Sequence, residues 1–102
     1  MHIAEALDQS QPGLFRRVTR AIEKHNLSQR TEQAYLHWIQ RFLVFHDLKS
    51  VDEIVPADHQ SFIHYLEESI PASRARQNQA RLALRFFFQD VLGMEEMPTS
   101  VA

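Results

Sequence analysis

Two tyrosines, six histidines and nine arginines are the side chains of this 102-residue sequence best suited to chemistry. A tyrosine acting as a nucleophile needs a base or an arginine cluster built around it, and the local sequence supplies neither for Tyr35 or Tyr65. Both read as packed tyrosines with a satisfied hydroxyl. The histidines do not take metal-ligand spacing: His59 and His64 are five residues apart, His37 and His46 fall on nearly opposite faces of a helix, and no H-E-x-x-H occurs. Two glycines in the whole chain leave no phosphate loop of the G-x-x-x-x-G-K kind. The absence of cysteine removes disulfides, thiolate ligands and thiol nucleophiles. No catalytic residue, metal site or cofactor is assigned, and the chain by itself is expected not to be an enzyme.

The arginines remain. They outnumber lysine nine to two, a bias that suits planar, bidentate recognition of phosphate or guanine. The net charge of −2 conceals a segregated pattern. From Leu14 to His46, six basic residues stand against Glu23 and Glu32; from Asp47 to Ser69, six acids stand against Lys49; from Ala72 to Gln89 there are four arginines and no acid. Segregation of this kind makes a local field that the average hides.

Helices must position these groups, because the apolar residues recur with a period of 3.6 and no strand pattern or internal repeat appears. The stretch Ser28–His46 is the central one, with Tyr35, Trp38, Ile39, Phe42, Leu43, Phe45 and His46 on one side and Arg30, Gln33, His37, Gln40 and Arg41 on the other. Ser28 has the chemistry of its N-cap, with Thr31 and Glu32 in the first turn. An earlier helix, with Pro12 in its first turn, carries Leu14, Phe15, Val18, Ala21 and Ile22 inward and Arg17, Arg20 and Lys24 outward, and Asn26 is its left-handed stop. Ser50 starts a single turn, and Pro56 opens a helix to Glu68 with Phe62, Ile63 and Leu66 inward. Ile70-Pro71 breaks the pattern, and Ser73 caps a last helix from Arg74 to about Leu92, ended by Gly93. There Ala75, Gln79, Ala80, Leu82, Ala83, Leu84, Phe86, Phe87 and Val91 spread over a broad arc that should be mostly buried. The remaining stripe is Arg74, Gln77, Asn78, Arg81, Arg85 and Phe88.

The expected architecture is all-α: a loose tail over 1–11, a compact four-helix domain over 12–93, and a tail or the start of a linker over 94–102. No signal-peptide pattern and no membrane-length apolar run is present, so a soluble, cytoplasmic protein without membrane contact is expected. A charged stripe is often only a solvated helix face. Here the stripes mix arginine with glutamine and asparagine, the side chains that read guanine and adenine edges, and the last helix has no acid before Asp90.

The run Ser28-x-x-Thr31-x-x-x-Tyr35-x-x-x-Ile39-x-x-Phe42-x-x-Phe45, followed by Phe62-Ile63-x-x-Leu66 and by Asn78-x-x-x-x-Ala83-Leu84-x-Phe86-Phe87-x-x-x-Val91-Leu92-Gly93, resembles the N-terminal core-binding (SAM-like) domain of tyrosine recombinases, the phage-integrase family. Leu27 to Tyr35 with Trp38 to Phe42 looks most like integron-type integrases. The resemblance covers about Leu14 to Gly93. It implies a SAM-like domain forming half of a clamp on double-stranded DNA, with the central and last helices approaching the major groove. Carried over residue by residue, it assigns DNA contact to Arg30, Gln33, His37 and Arg41, and to Arg74, Gln77, Arg81 and Arg85; Ser28 and Thr31 would touch phosphate as well as cap, and Lys24 joins the set. Asn78 is left aside, because it could equally serve a buried hydrogen bond.

The family's chemistry, cleavage by a tyrosine that becomes linked to DNA, belongs to a C-terminal catalytic domain that this sequence does not contain. Neither tyrosine matches that nucleophile. The chain is therefore expected to be a DNA-binding module of a longer recombinase, with duplex DNA, the parent's catalytic domain and neighbouring protomers as partners. The competing reading is a helical protein–protein interaction domain that docks an acidic partner through the basic stripes and an exposed Phe88.

Overall fold

The computed structural model describes residues 3–68 and 73–94. Among them are five α-helices: α1 (Ile3–Ser10), α2 (Leu14–Lys24), α3 (Gln29–Phe45), α4 (Pro56–Glu68) and α5 (Arg74–Phe86). A 3-10 turn at Val51–Glu53 precedes α4, and α5 continues directly into a π-turn at Phe87–Val91. No strand occurs among the described residues, so the all-α expectation holds with one more helix than the four foreseen.

The extra helix is α1. Residues 3–10, expected as a loose tail, are helical, and Leu7 and Ala6 are fully buried, with Ser10 buried beside them. Two features join α1 to the rest: the Asp8 carboxylate accepts the Phe15 N–H at 3.1 Å, and the Ser10 hydroxyl donates to the Lys49 carbonyl at 2.7 Å. The sharp corner between α1 and α2 uses Gly13 at φ 84°, which L side chains rarely adopt. Pro12 thus lies in the corner and not in the first turn of α2, which starts at Leu14, the first residue of its apolar pattern.

Local chemistry sets the other helix ends as expected. Asn26 takes a left-handed φ of 56° and stops the chain after α2. Ser28 caps α3 by accepting the Thr31 N–H at 3.2 Å, Ser73 caps α5 by accepting the Arg76 N–H at 3.2 Å, and Ser50 accepts the Asp52 N–H at 3.3 Å to start the 3-10 turn. Pro56 opens α4. The Ile70-Pro71 break and residues 95–102 lie outside the described residues.

α3 runs through the middle, packed chiefly on α5 and α1. Its inward face carries Trp38, Ile39, Phe42 and Leu43, all essentially buried. Phe42 is the centre of an aromatic cluster, edge-on to Phe62 of α4 at 5.6 Å and to Phe88 and Phe87 of the π-turn at 5.6 and 6.3 Å. Tyr35 and His46 are only partly buried, and Phe45 is 37% exposed, its ring tilted against that of Tyr65 at 4.7 Å.

Phe88 corrects the expected wheel. It was placed on the outward arginine stripe, but it is fully buried against Phe42 and the His59 ring. The reason is the π-turn, in which the Leu92 N–H reaches the Phe87 carbonyl at 2.9 Å: one more residue per turn rotates Phe88 inward, where α2 also packs. The first half of α5 errs the other way. Ala75, Gln79 and Leu82, expected inside, are exposed, and only Ala80, Ala83, Leu84, Phe86 and Phe87 are buried.

Asp58 ties the α3–α4 connection together. Its carboxylate meets Lys49 Nζ at 2.7 Å and the Val55 N–H at 3.0 Å, and its carbonyl lies 2.9 Å from His46 Nε2. Burial alone would raise its pKa, but the hydrogen bonds from Lys49 and Val55 and the charges of His46 and Lys49 outweigh it and hold the group below its ordinary 3.8. A carboxyl whose folded value is depressed stabilises the fold fully above the unfolded value and loses that contribution as the pH falls through the folded value. Urea midpoints measured against pH should show wild type losing about 1 kcal/mol more than Asp58→Asn across that acid range. Parallel curves would remove Asp58 as the titrating group.

Candidate nucleic-acid interface

The α3–α5 contact forms a surface groove with Arg30 in its lining. Arg30, Thr31, Ala34 and Tyr35 of α3 face Ala75, Asn78, Gln79 and Leu82 of α5 across a surface groove. The groove has a rigid floor: Tyr35 packs on Phe86 at 5.3 Å, and the buried Trp38 donates its indole N–H to Gln79 Oε1 at 3.0 Å. Asn78, whose role was left open, is exposed at the groove wall.

Along α3, Arg30, His37 and Arg41 line up at helical spacing, Arg30 and His37 exposed and Arg41 partly so. Past the groove, Arg41 sits over the Trp38 ring, its guanidinium carbon 5.3 Å from the centroid, and Arg76 of α5 lies 5.8 Å from the same centroid. The His37 ring is edge-on to Trp38 at 5.4 Å. Its pKa is pushed below the ordinary imidazole value by partial burial first and then by the charges of Arg41 and Arg76. Three nitrogen-bearing side chains from two helices thus converge on one indole.

The other expected contacts are distributed differently. Gln33 is exposed on α3, while the Ser28 hydroxyl donates to the Thr31 hydroxyl at 3.0 Å as well as capping, so these two are engaged with each other. Lys24 is exposed on the last turn of α2 and does not line the groove. Arg74 and Arg85 are exposed at opposite ends of α5, and Gln77 is half-buried. Arg81 is bound to Glu67 of α4 at 2.6 Å, so the acid-free appearance of α5 in sequence does not extend to its neighbours in space. Arg17 is likewise engaged internally, donating to Gln11 Oε1 and to the Val91 carbonyl, both at 2.8 Å.

Arg76 is the residue that the helical stripes missed. On a 100° wheel it points with Ala80 and Ala83, roughly opposite Arg74 and Arg81, and so belongs to the apparent core side. It is nevertheless exposed, because it lies one turn before the packed part of α5 and lands on Trp38 instead. The signal for it would have been the single tryptophan with a glutamine partner, which no periodicity reports.

Among the described residues no group of three or more His, Asp or Glu side chains could hold a metal ion, and no helix is long and apolar enough to cross a membrane. Three histidines each meet one carboxylate: His46 with Asp58, His64 with Glu68 at 3.1 Å, and His25 with Asp90 at 3.4 Å.

Comparison with known proteins gives the same direction as the residues. Two proteins named integrase/recombinase, one from Escherichia coli and one from Pseudomonas aeruginosa, are each 35% identical to the chain over 65 residues. The match covers 64% of this chain but only 19% of either relative, so the chain corresponds to a small part of their length. Residues 14–96, which take in α2 to α5 and the π-turn, match the model of the phage integrase N-terminal SAM-like domain, and the chain belongs to that family.

Proposed function

We propose that the chain is the DNA-binding module of a site-specific recombinase, gripping duplex DNA with the edges of α3 and α5 while strand cleavage and rejoining are carried out elsewhere in the parent protein. The observation that carries this reading is that Arg30 lines the exposed groove between α3 and α5, Arg41 and Arg76 from the same two helices lie over Trp38 beyond it, and among the described residues none of the three pairs with a carboxylate. Phosphate contacts supply most of the affinity, and glutamine, asparagine and arginine at the groove supply register. The names of the two relatives support recombination as the context. The parent's catalytic domain and neighbouring protomers are its protein partners, in the cytoplasm. An apolar cleft between α3 and α4, where Val44 and Phe45 remain exposed beside Tyr65, favours such a protein contact next to the DNA-facing edge.

Amide chemical-shift mapping with a duplex tests the assignment. Shifts should concentrate on 30–41 and 74–82, and Arg30→Gln should weaken binding and lower the salt slope by about 1. Shifts confined to the acidic Asp47–Glu68 face, or absent altogether, would sink it. A protein-docking role through an exposed Phe88 loses its anchor, because that ring is fully buried.

A further inference from the structure

We infer that Arg41 and Arg76, held together on the Trp38 indole with His37 at the edge, form a dedicated binding notch for one backbone phosphate of duplex DNA. This rests on the DNA-binding reading above and adds to it a subsite at which two helices meet.

The two arginines come from different helices, yet both lie within cation–π range of the same ring, at 5.3 and 5.8 Å. Like charges brought together in this way repel, and proteins ordinarily relieve the repulsion with a carboxylate. Other engaged basic groups do so here: Arg81 holds Glu67 and Lys49 holds Asp58. Among the described residues, neither Arg41 nor Arg76 has such a partner. The indole offsets part of the repulsion through its negative face, but it carries no net charge. At a third position, burial first and then the charges of Arg41 and Arg76 hold the His37 imidazole below its ordinary value, so part of that shift comes from the same positive pair.

The platform is fixed in advance. Trp38 is 1% exposed and its N–H is tied to Gln79, so the ring cannot turn away. Each guanidinium stacked on it has lost rotamer freedom before any ligand arrives, which lowers the entropic cost of binding. Arg76 also lies in the first turn of α5, whose positive end adds to the field. An anion with several oxygens meets all of these requirements. Arg30 lines the groove between the same two helices, and a further cation along that edge makes a DNA phosphodiester the fitting source.

Anisotropy titrations of labelled duplexes about two helical turns long, one of A·T pairs alone and one rich in G·C, between about 50 and 200 mM salt test this on the whole chain. Arg41→Gln with Arg76→Gln should weaken both duplexes equally, by about tenfold, and lower the salt slope by about 2. Arg41→Lys with Arg76→Lys should restore most of the slope, since lysine keeps the point charge. Unchanged urea midpoints guard against a folding defect. Wild-type binding that the glutamine pair leaves intact would overturn the notch and spare the DNA reading. A loss confined to the G·C-rich duplex would make these arginines base readers and overturn it as well. No binding of either duplex by wild type would remove both. Trp38, the sole tryptophan, gives a separate readout of source: its fluorescence should respond to duplex at concentrations far below those of inorganic phosphate, and a response to inorganic phosphate alone would overturn DNA as the ligand.

Discussion

Phe42→Ala is expected to lower the unfolding free energy by about 3–5 kcal/mol, among the largest effects of a single truncation in this chain. Phe42 is fully buried and touches rings from two other segments, Phe62 on α4 and Phe87 and Phe88 in the π-turn, as well as His46 at the end of its own helix. Truncation therefore removes edge-to-face contacts as well as apolar area. The cavity left behind cannot close easily, because its walls belong to helices held apart by their own packing. Small domains have only about 5–15 kcal/mol in hand, so the variant should unfold at much lower urea. Phe45→Ala on the same helix is the natural comparison. With 37% of Phe45 exposed, its loss should be clearly smaller. Equal effects on the two urea midpoints would contradict the position of Phe42 at the centre.

The helix ends were legible because their chemistry is local. A serine that accepts an N–H three residues ahead, as Ser28 and Ser73 do, or an asparagine that tolerates left-handed backbone, as Asn26 does, is specified by neighbours in sequence. The inward face of α3 was legible for a related reason: a regular α-helix keeps its period. The errors arise where those conditions fail. Phe88 was misplaced because the wheel assumes a constant 100° per residue, and the π-turn breaks that constancy immediately after Phe86. Leu82 was placed inside by its apolar character, yet it is 54% exposed on the wall of the groove.

The candidate site shows the same division. The row Arg30, His37 and Arg41 follows from spacing within one helix. The pairing of Arg81 with Glu67 and the meeting of Arg76 with Trp38 depend on how α5 lies against α4 and α3, which one helix's periodicity does not encode. The spatial arrangement thus exchanges one arginine for another: Arg81 is partly neutralised, and Arg76 takes its place in the uncompensated set.

The position of α1 leads to the second large effect. The family match begins at residue 14, after α1 has ended, so by sequence alone the helix looks dispensable. Eight residues are too few to form a stable helix in water, so packing must hold α1 in place. Leu7 provides that packing: it is fully buried, part of the same core as Leu14, Val18 and Leu43, on a helix that packs chiefly against α3 and α2. Leu7→Ala should cost about 2–5 kcal/mol. Asp8→Ala, which removes the carboxylate that accepts the Phe15 N–H, should cost less, about 1 kcal/mol. Because α1 also packs on α3, its loss should loosen the helix that presents Arg30 and Arg41, and hydrogen exchange should then quicken along α3 as well as in α1. If Leu7→Ala changes the urea midpoint by no more than a surface substitution does, α1 is an appendage and the domain begins at α2. If it costs what a core leucine costs, the folding unit of this chain extends beyond the family's boundary, and the residues before it help to hold α3 in place.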